Sequence, residues 1–176
     1  MRFGMYGTIG LALLLALHAA PVTADMGTAL GAYERGEFAS AFDEFRILAD
    51  DGNAEAMLWT GYLYQEGEGT SRDFGEAMRY YRMAGDLGQP QAYYYLGMMY
   101  QEGFGVDQDP VEAVRWYRRA AEGNDVYGQY ALADAYETGK GAPRDRRAAR
   151  RWYQAAADQG NKDARAKLQS LTDQPE

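Results

Sequence analysis

The sequence predicts an all-α solenoid of antiparallel helix pairs, on three observations: residues that recur every 36 positions, two helically spaced apolar stripes inside each recurrence, and a glycine-rich segment between the stripes. Gly61, Gly97 and Ala133 fall at this period, as do Tyr64, Tyr100 and Tyr136. So do Gly67, Gly103 and Gly139, Gly69, Gly105 and Gly141, and Asp73, Asp109 and Asp145. The series runs on through Ala77, Ala113 and Ala149, Tyr81, Tyr117 and Tyr153, and Ala84, Ala120 and Ala156. In the second unit Ala92, Leu96, Gly97 and Tyr100 make one stripe, and Ala113, Trp116, Tyr117 and Ala120 the other. A chain of 176 residues with 47% hydrophobic and 25% charged residues has the balance of a single folded unit.

Residues 1–24 stand apart from the repeat and read as a signal peptide cut before Asp25. Arg2 gives a positive start, residues 9–20 are apolar, and Val22-Thr23-Ala24 places small residues at the cleavage site. The apolar run is about a dozen residues, short of the about 20 that a membrane span needs. There is no cysteine, so neither a lipid-modified Cys nor a disulfide framework is possible. The expected mature protein is exported, periplasmic or secreted, soluble and without a lipid anchor.

The solenoid is expected over residues 25–171. Residues 25–53, with Ala32, Tyr33 and Gly36, form a shorter unit that lacks the long glycine loop. Full units follow at 54–89, 90–124 and 125–161, with a one-residue slip between Gly123 and Ala133, then a closing helix at 162–171 and a disordered tail at 172–176. Asp73, Asp109 and Asp145 cap the second helices, Pro110 takes a first helical position, and Glu76 and Glu112 complete capping boxes. Gly52, Gly88, Gly123 and Gly160 are expected to end the second helices in the left-handed region. Asn53, Gln89 with Pro90, Asp125 and Asn161 open the next first helices. Small residues at Gly61, Gly97 and Ala133 would let the paired helices approach, with Tyr or Trp on the partner filling the space between them.

The composition and motifs exclude several chemistries. His18, the single histidine, lies inside the expected signal. The mature chain then has neither His nor Cys, which removes the commonest general base, zinc ligands and nucleophile arrangements. The Gly-x-Gly segments follow a helix, lack the Lys-Ser/Thr of a phosphate loop and end in an aspartate that would repel phosphate. Asp107 and Asp109 do not have the spacing of a helix-loop-helix calcium site. No metal and no cofactor are expected. The net charge of −8 argues against nucleic acid and against strong general affinity for anionic surfaces.

The pattern from Ala92 to Ala121, Ala-x3-Leu-Gly-x2-Tyr-x2-Gly-x-Gly-Val-x2-Asp-x3-Ala-x2-Trp-Tyr-x2-Ala-Ala, resembles the Sel-1-like repeat, a relative of the tetratricopeptide repeat. Thr60 in place of Leu, and Gly85 and Gly128 in place of Ala, are mild departures. The resemblance implies a right-handed solenoid with a concave face and no enzyme chemistry. It also implies a role in holding other proteins together, often in bacterial secretion, exopolysaccharide production or signalling.

In such a solenoid the first helices line the concave groove. Their faces opposite the core stripe give Glu55, Leu58, Tyr62, Gln65 and Glu66, then Gln91, Tyr94, Met98, Gln101 and Glu102, then Tyr127, Tyr130, Asp134 and Glu137. This is a tyrosine-rich, acidic groove suited to a basic or amphipathic segment of another protein, with the regulation of a membrane sensor or a polymer-export assembly as the expected role. The competing reading of the same residues is that Tyr94 and Tyr130 pack on neighbouring helices and the carboxylates are solvated. Arg79, Arg82, Arg115, Arg118, Arg119, Arg146, Arg147, Arg150 and Arg151 form a stripe on the second helices. It reads either as a contact for anionic lipid or acidic polysaccharide or as a solvated face with its heads paired to carboxylates. An alternative function is a cell-wall-related hydrolase of the cysteine-rich relatives' type, with Glu66 and Glu102 as carboxylates. Against it, the chain has no cysteine, no Ser-x-x-Lys pair, and serine only at Ser40, Ser71 and Ser170. A purely structural spacer is the third reading.

Overall fold

The computed structural model describes residues 24–172; all but the last residue of the expected signal peptide, and residues 173–176 of the expected tail, lie outside them. Nine α-helices and no strand occur among the described residues. They are α1 (Met26–Glu34), α2 (Phe38–Asp50), α3 (Ala54–Glu66), α4 (Phe74–Asp86), α5 (Pro90–Glu102), α6 (Pro110–Glu122), α7 (Val126–Thr138), α8 (Arg146–Asp158) and α9 (Lys162–Thr172). Each helix packs mainly on the one before and the one after it, so α1–α2 make a short hairpin, α3–α4, α5–α6 and α7–α8 make three full ones, and α9 closes the stack.

Within a hairpin the two helices approach at a glycine. A methyl group at Gly61 would lie 2.9 Å from the ring of Tyr81, and one at Gly97 would overlap Tyr117. The tyrosine fills the space and its hydroxyl reaches back to the first helix: Tyr81 donates to Gln65 at 3.1 Å, Tyr117 to Gln101 at 3.1 Å and Tyr153 to Glu137 at 2.6 Å. Burial raises the pKa of all three phenols, so they stay neutral donors.

The loops serve as joints. Gly67, Gly103 and Gly139 end the first helices in the left-handed region. The backbone N–H of Asp73, Asp109 and Asp145 then donates to the carbonyls of Tyr64, Tyr100 and Tyr136 at 2.9, 2.8 and 3.0 Å. The second glycine of each pair meets the previous hairpin: side chains at Gly69, Gly105 and Gly141 would overlap Phe38, Phe74 and Pro110, the first residues of α2, α4 and α6. Each glycine loop therefore seats one unit on the last.

Two sequence expectations need correction. The capping boxes are half formed: Asp73 and Asp109 accept from the N–H groups of Glu76 and Glu112 at 3.0 Å. The return bond is absent because the cap's own N–H already serves the tyrosine carbonyl, and Glu76 and Glu112 instead pair with Arg79 and Arg115 at 2.7 and 2.8 Å. Nor is there a slip in the third unit. First helices begin at 54, 90 and 126, and Asn124, not Gly123, takes the left-handed conformation that Gly52, Gly88 and Gly160 take elsewhere. Asparagine tolerates that region, so the substitution keeps the period.

The closing helix is tied to α7 and α8 by charge. The Lys167 ammonium donates to Glu137 Oε2 at 2.8 Å, where Tyr153 also donates, and lies 3.6 Å from Asp134. Burial alone would push the Glu137 carboxyl up, but the bonds from Lys167 and Tyr153 outweigh it and hold its pKa below the ordinary value. Such a group contributes stability that is present above the unfolded pKa, about 4.3, and lost as the pH falls through the lower folded value. The stability gap between wild type and Glu137→Gln is thus expected to be constant from neutral pH to about pH 5 and to close below it. Urea titrations at stepped pH measure this; a gap that does not change with pH contradicts it.

Candidate functional site

α7 approaches α5 directly and the Tyr62 ring of α3 meets the Tyr95 ring of α5 at 6.2 Å, while no two second helices make a contact comparable to that of α5 with α7. The stack therefore curves with α3, α5 and α7 on its inner side. These helices are buried on most sides, since each lies between its own second helix, the preceding hairpin and the next first helix.

A run of aromatic rings follows this inner side. Tyr33 lies 5.0 Å from Trp59 and 6.3 Å from Tyr62; Tyr62 is 6.2 Å from Tyr95, Tyr95 is 5.5 Å from Tyr94, and Tyr94 is 5.6 Å from Tyr127. Burial pushes the Tyr95 phenol up to about 12 and raises Tyr94 as well, so the rings carry neutral hydroxyls at ordinary pH. The run opens into a cleft of about 330 Å³ among α1, α3 and α5, lined by Tyr33, Leu58, Trp59, Tyr62 and Tyr95 with Glu55, Gln89 and Gln91 at its polar edge.

The residues expected on the groove divide into four groups. Tyr62, Glu66, Tyr94, Met98, Glu102 and Tyr127 keep exposed or half-exposed side chains on the first helices, Tyr127 at 50% and Glu66 and Glu102 exposed. Leu58 is only 6% exposed and forms part of the cleft wall. Gln65, 7% exposed, and Gln101 use their side-chain oxygens on Tyr81 and Tyr117 and their amides on Glu66 and Glu102, both at 2.8 Å. Asp134 and Glu137 face Lys167, and Tyr130 packs against Tyr153 at 5.4 Å beside α9, so the third repeat's positions lie along the closing helix. The sequence reading missed Tyr33, Trp59 and Tyr95. Trp59 and Tyr95 occupy one repeat position, a signal that the period alone could have supplied.

On the outer side many arginines lie over rings or pair with carboxylates. Arg79 sits 4.2 Å over Tyr80 and Arg119 4.0 Å over Tyr93, while Arg118 donates to the Tyr136 hydroxyl at 2.9 Å. Among the described residues no three His, Cys, Asp or Glu side chains converge as a metal ion would require, and no helix is long and apolar enough to cross a membrane.

Stacked short hairpins with a continuous inner face define the class: an α-solenoid repeat protein. More particularly, the chain belongs to the Sel1 repeat family, whose model matches residues 54–89, 90–125 and 126–161. The fold is similar to that of a Sel1 repeat protein from Oxalobacter formigenes, with 36% identity over 81% of this chain and 58% of that one, TM-score 0.76. It is similar also to a protective antigen present in uropathogenic Escherichia coli strains, described as displaying an SLR fold. That match has 31% identity over 81% of this chain and 31% of that one, TM-score 0.73, so the chain spans less than two thirds of either protein. Helicobacter pylori cysteine rich protein B, at 20% identity, TM-score 0.55 and coverage of 80% and 95%, shares the fold. No curated protein matches the chain. Sel1 repeats generally mediate protein–protein interactions.

Proposed function

We propose that the chain is an exported, non-catalytic scaffold whose inner face binds a segment of another protein bearing basic residues. One observation carries this reading: the unbroken run of rings from Tyr33 to Tyr127, bordered by the exposed carboxylates of Glu55, Glu66 and Glu102. Aromatic rings offer large contact area at low entropic cost, and the carboxylates favour a cationic partner. In an exported setting the partner would be the outer domain of a membrane sensor or a component of a polymer-export assembly. The site is narrower than the sequence implies, because Gln65, Gln101, Asp134 and Glu137 are engaged within the fold.

A photocrosslinking residue placed at Tyr127 or Glu102 in living cells tests this, with Arg115 on the outer side as control. The expected result is one protein captured from both inner positions, through a Lys- or Arg-bearing segment, and lost on Tyr62→Ala with Glu66→Lys. Identical capture from Arg115, or none from the inner positions, overturns it.

A further inference from the structure

The cleft at the start of the inner face differs from the rest of it. One repeat further on, the positions of Leu58 and Gln91 are held by Tyr94 and Tyr127, whose rings meet at 5.6 Å and fill the corresponding space. The shorter Leu58 and Gln91 leave about 330 Å³ open instead. What remains around this space is an aromatic box. Tyr33, Trp59 and Tyr62 stand 5.0 to 6.3 Å apart at interplanar angles of 54°, 75° and 80°, and Tyr95 closes the far side 6.2 Å from Tyr62. Phe45 stacks on Trp59 at 5.5 Å and 6°, which fixes the indole from behind. Among the described residues no ion pair holds the exposed Glu55 carboxylate at the edge.

We infer that this cleft is a binding site for a cationic side chain, the Lys or Arg of the segment seated on the inner face; the inference rests on the function proposed above and names its anchor. Several aromatic rings gathered around one hollow can offer negative ring faces to it, and a carboxylate among the lining adds full charge, a combination that favours an organic cation over a neutral group of equal size. The choice of a polypeptide source rests on the lining, which includes Gln89 and Gln91, whose side-chain amides can both donate to and accept from peptide groups. The fold supplies its own precedent, for Lys167 is held at the third repeat by the Glu137 carboxylate with its ammonium 5.9 Å from the Tyr153 ring centre.

The test is a titration of the full-length protein with Gly-Arg-Gly, Gly-Lys-Gly, the neutral isostere Gly-citrulline-Gly and ethylguanidinium, followed by the Trp59 indole N–H resonance, which Trp59→Phe assigns among the three tryptophans. Both cationic tripeptides are expected to bind, the citrulline peptide about tenfold more weakly. Glu55→Gln, an exposed change that leaves the core untouched, is expected to weaken the cations several-fold and not the citrulline peptide. Equal affinity for citrulline, indifference to Glu55→Gln, or no response from either cation overturns the site. Ethylguanidinium binding as tightly as Gly-Arg-Gly overturns the polypeptide source. Should the cations fail while capture from Tyr127 persists, the anchor falls and the inner-face function stands; the reverse pattern sinks that function and keeps the cleft.

Discussion

Gly141→Ala is expected to unfold at a markedly lower urea concentration than wild type, with a loss of about 2–5 kcal/mol. Two costs combine. Gly141 has φ +81, where an L side chain costs about 1–2 kcal/mol. A methyl group there would also overlap the carbonyl oxygen of Pro110 and press on Val114, and relieving that means moving one hairpin off another, which adds an overpacking cost of about 1–3 kcal/mol. Gly160→Ala separates the two, because φ is +94 but no atom lies within 4 Å of the new methyl group. It is expected to lose only the first increment, about 1–2 kcal/mol. Equal losses for the two variants would mean that the loop does not seat the repeat as described.

Tyr81→Ala is expected to be the most destabilising single truncation, at about 3–5 kcal/mol. Tyr81 is fully buried, stacks on Tyr95 at 5.0 Å and fills the space that Gly61 leaves. Tyr81→Phe isolates the hydroxyl and is expected to cost about 1–2 kcal/mol, because it strands the buried side-chain oxygen of Gln65. Tyr117→Phe is expected to cost less, since Gln101 is half-exposed and water can take the place of the phenol. Denaturant midpoints of the four proteins test the order; Tyr117→Phe at or above the loss of Tyr81→Phe would contradict it.

How far the sequence disclosed the molecule depended on what each residue faces. The hairpins were legible because glycine, proline and aspartate act through the backbone: Asp73, Asp109 and Asp145 cap helices, and Gly67, Gly103 and Gly139 end them, wherever the units come to lie. The seating of Gly69, Gly105 and Gly141 on the previous hairpin was not legible, since period alone does not say what a loop touches. The inner face was read only in part for a related reason. A helix buried on most sides has no single polar stripe, so the side opposite Gly61 and Gly97 could not be fixed from spacing, and Trp59 and Tyr95 fell one residue outside the positions chosen. Gln65 and Gln101 looked available because their hydroxyl partners lie 16 residues away on the second helix.

The seating of the loops has one more consequence. The residue received at each junction changes from Phe38 to Phe74 to Pro110, while the residue that meets it is always glycine; Phe38 and Pro110 are met at their backbone carbonyls and Phe74 at its Cβ, so little of the fit depends on the end of a side chain. Units joined in this way are interchangeable parts. A hairpin could be duplicated or exchanged without redesigning its neighbours, which leaves the exposed positions of the first helices free to diverge while the connectors stay constant.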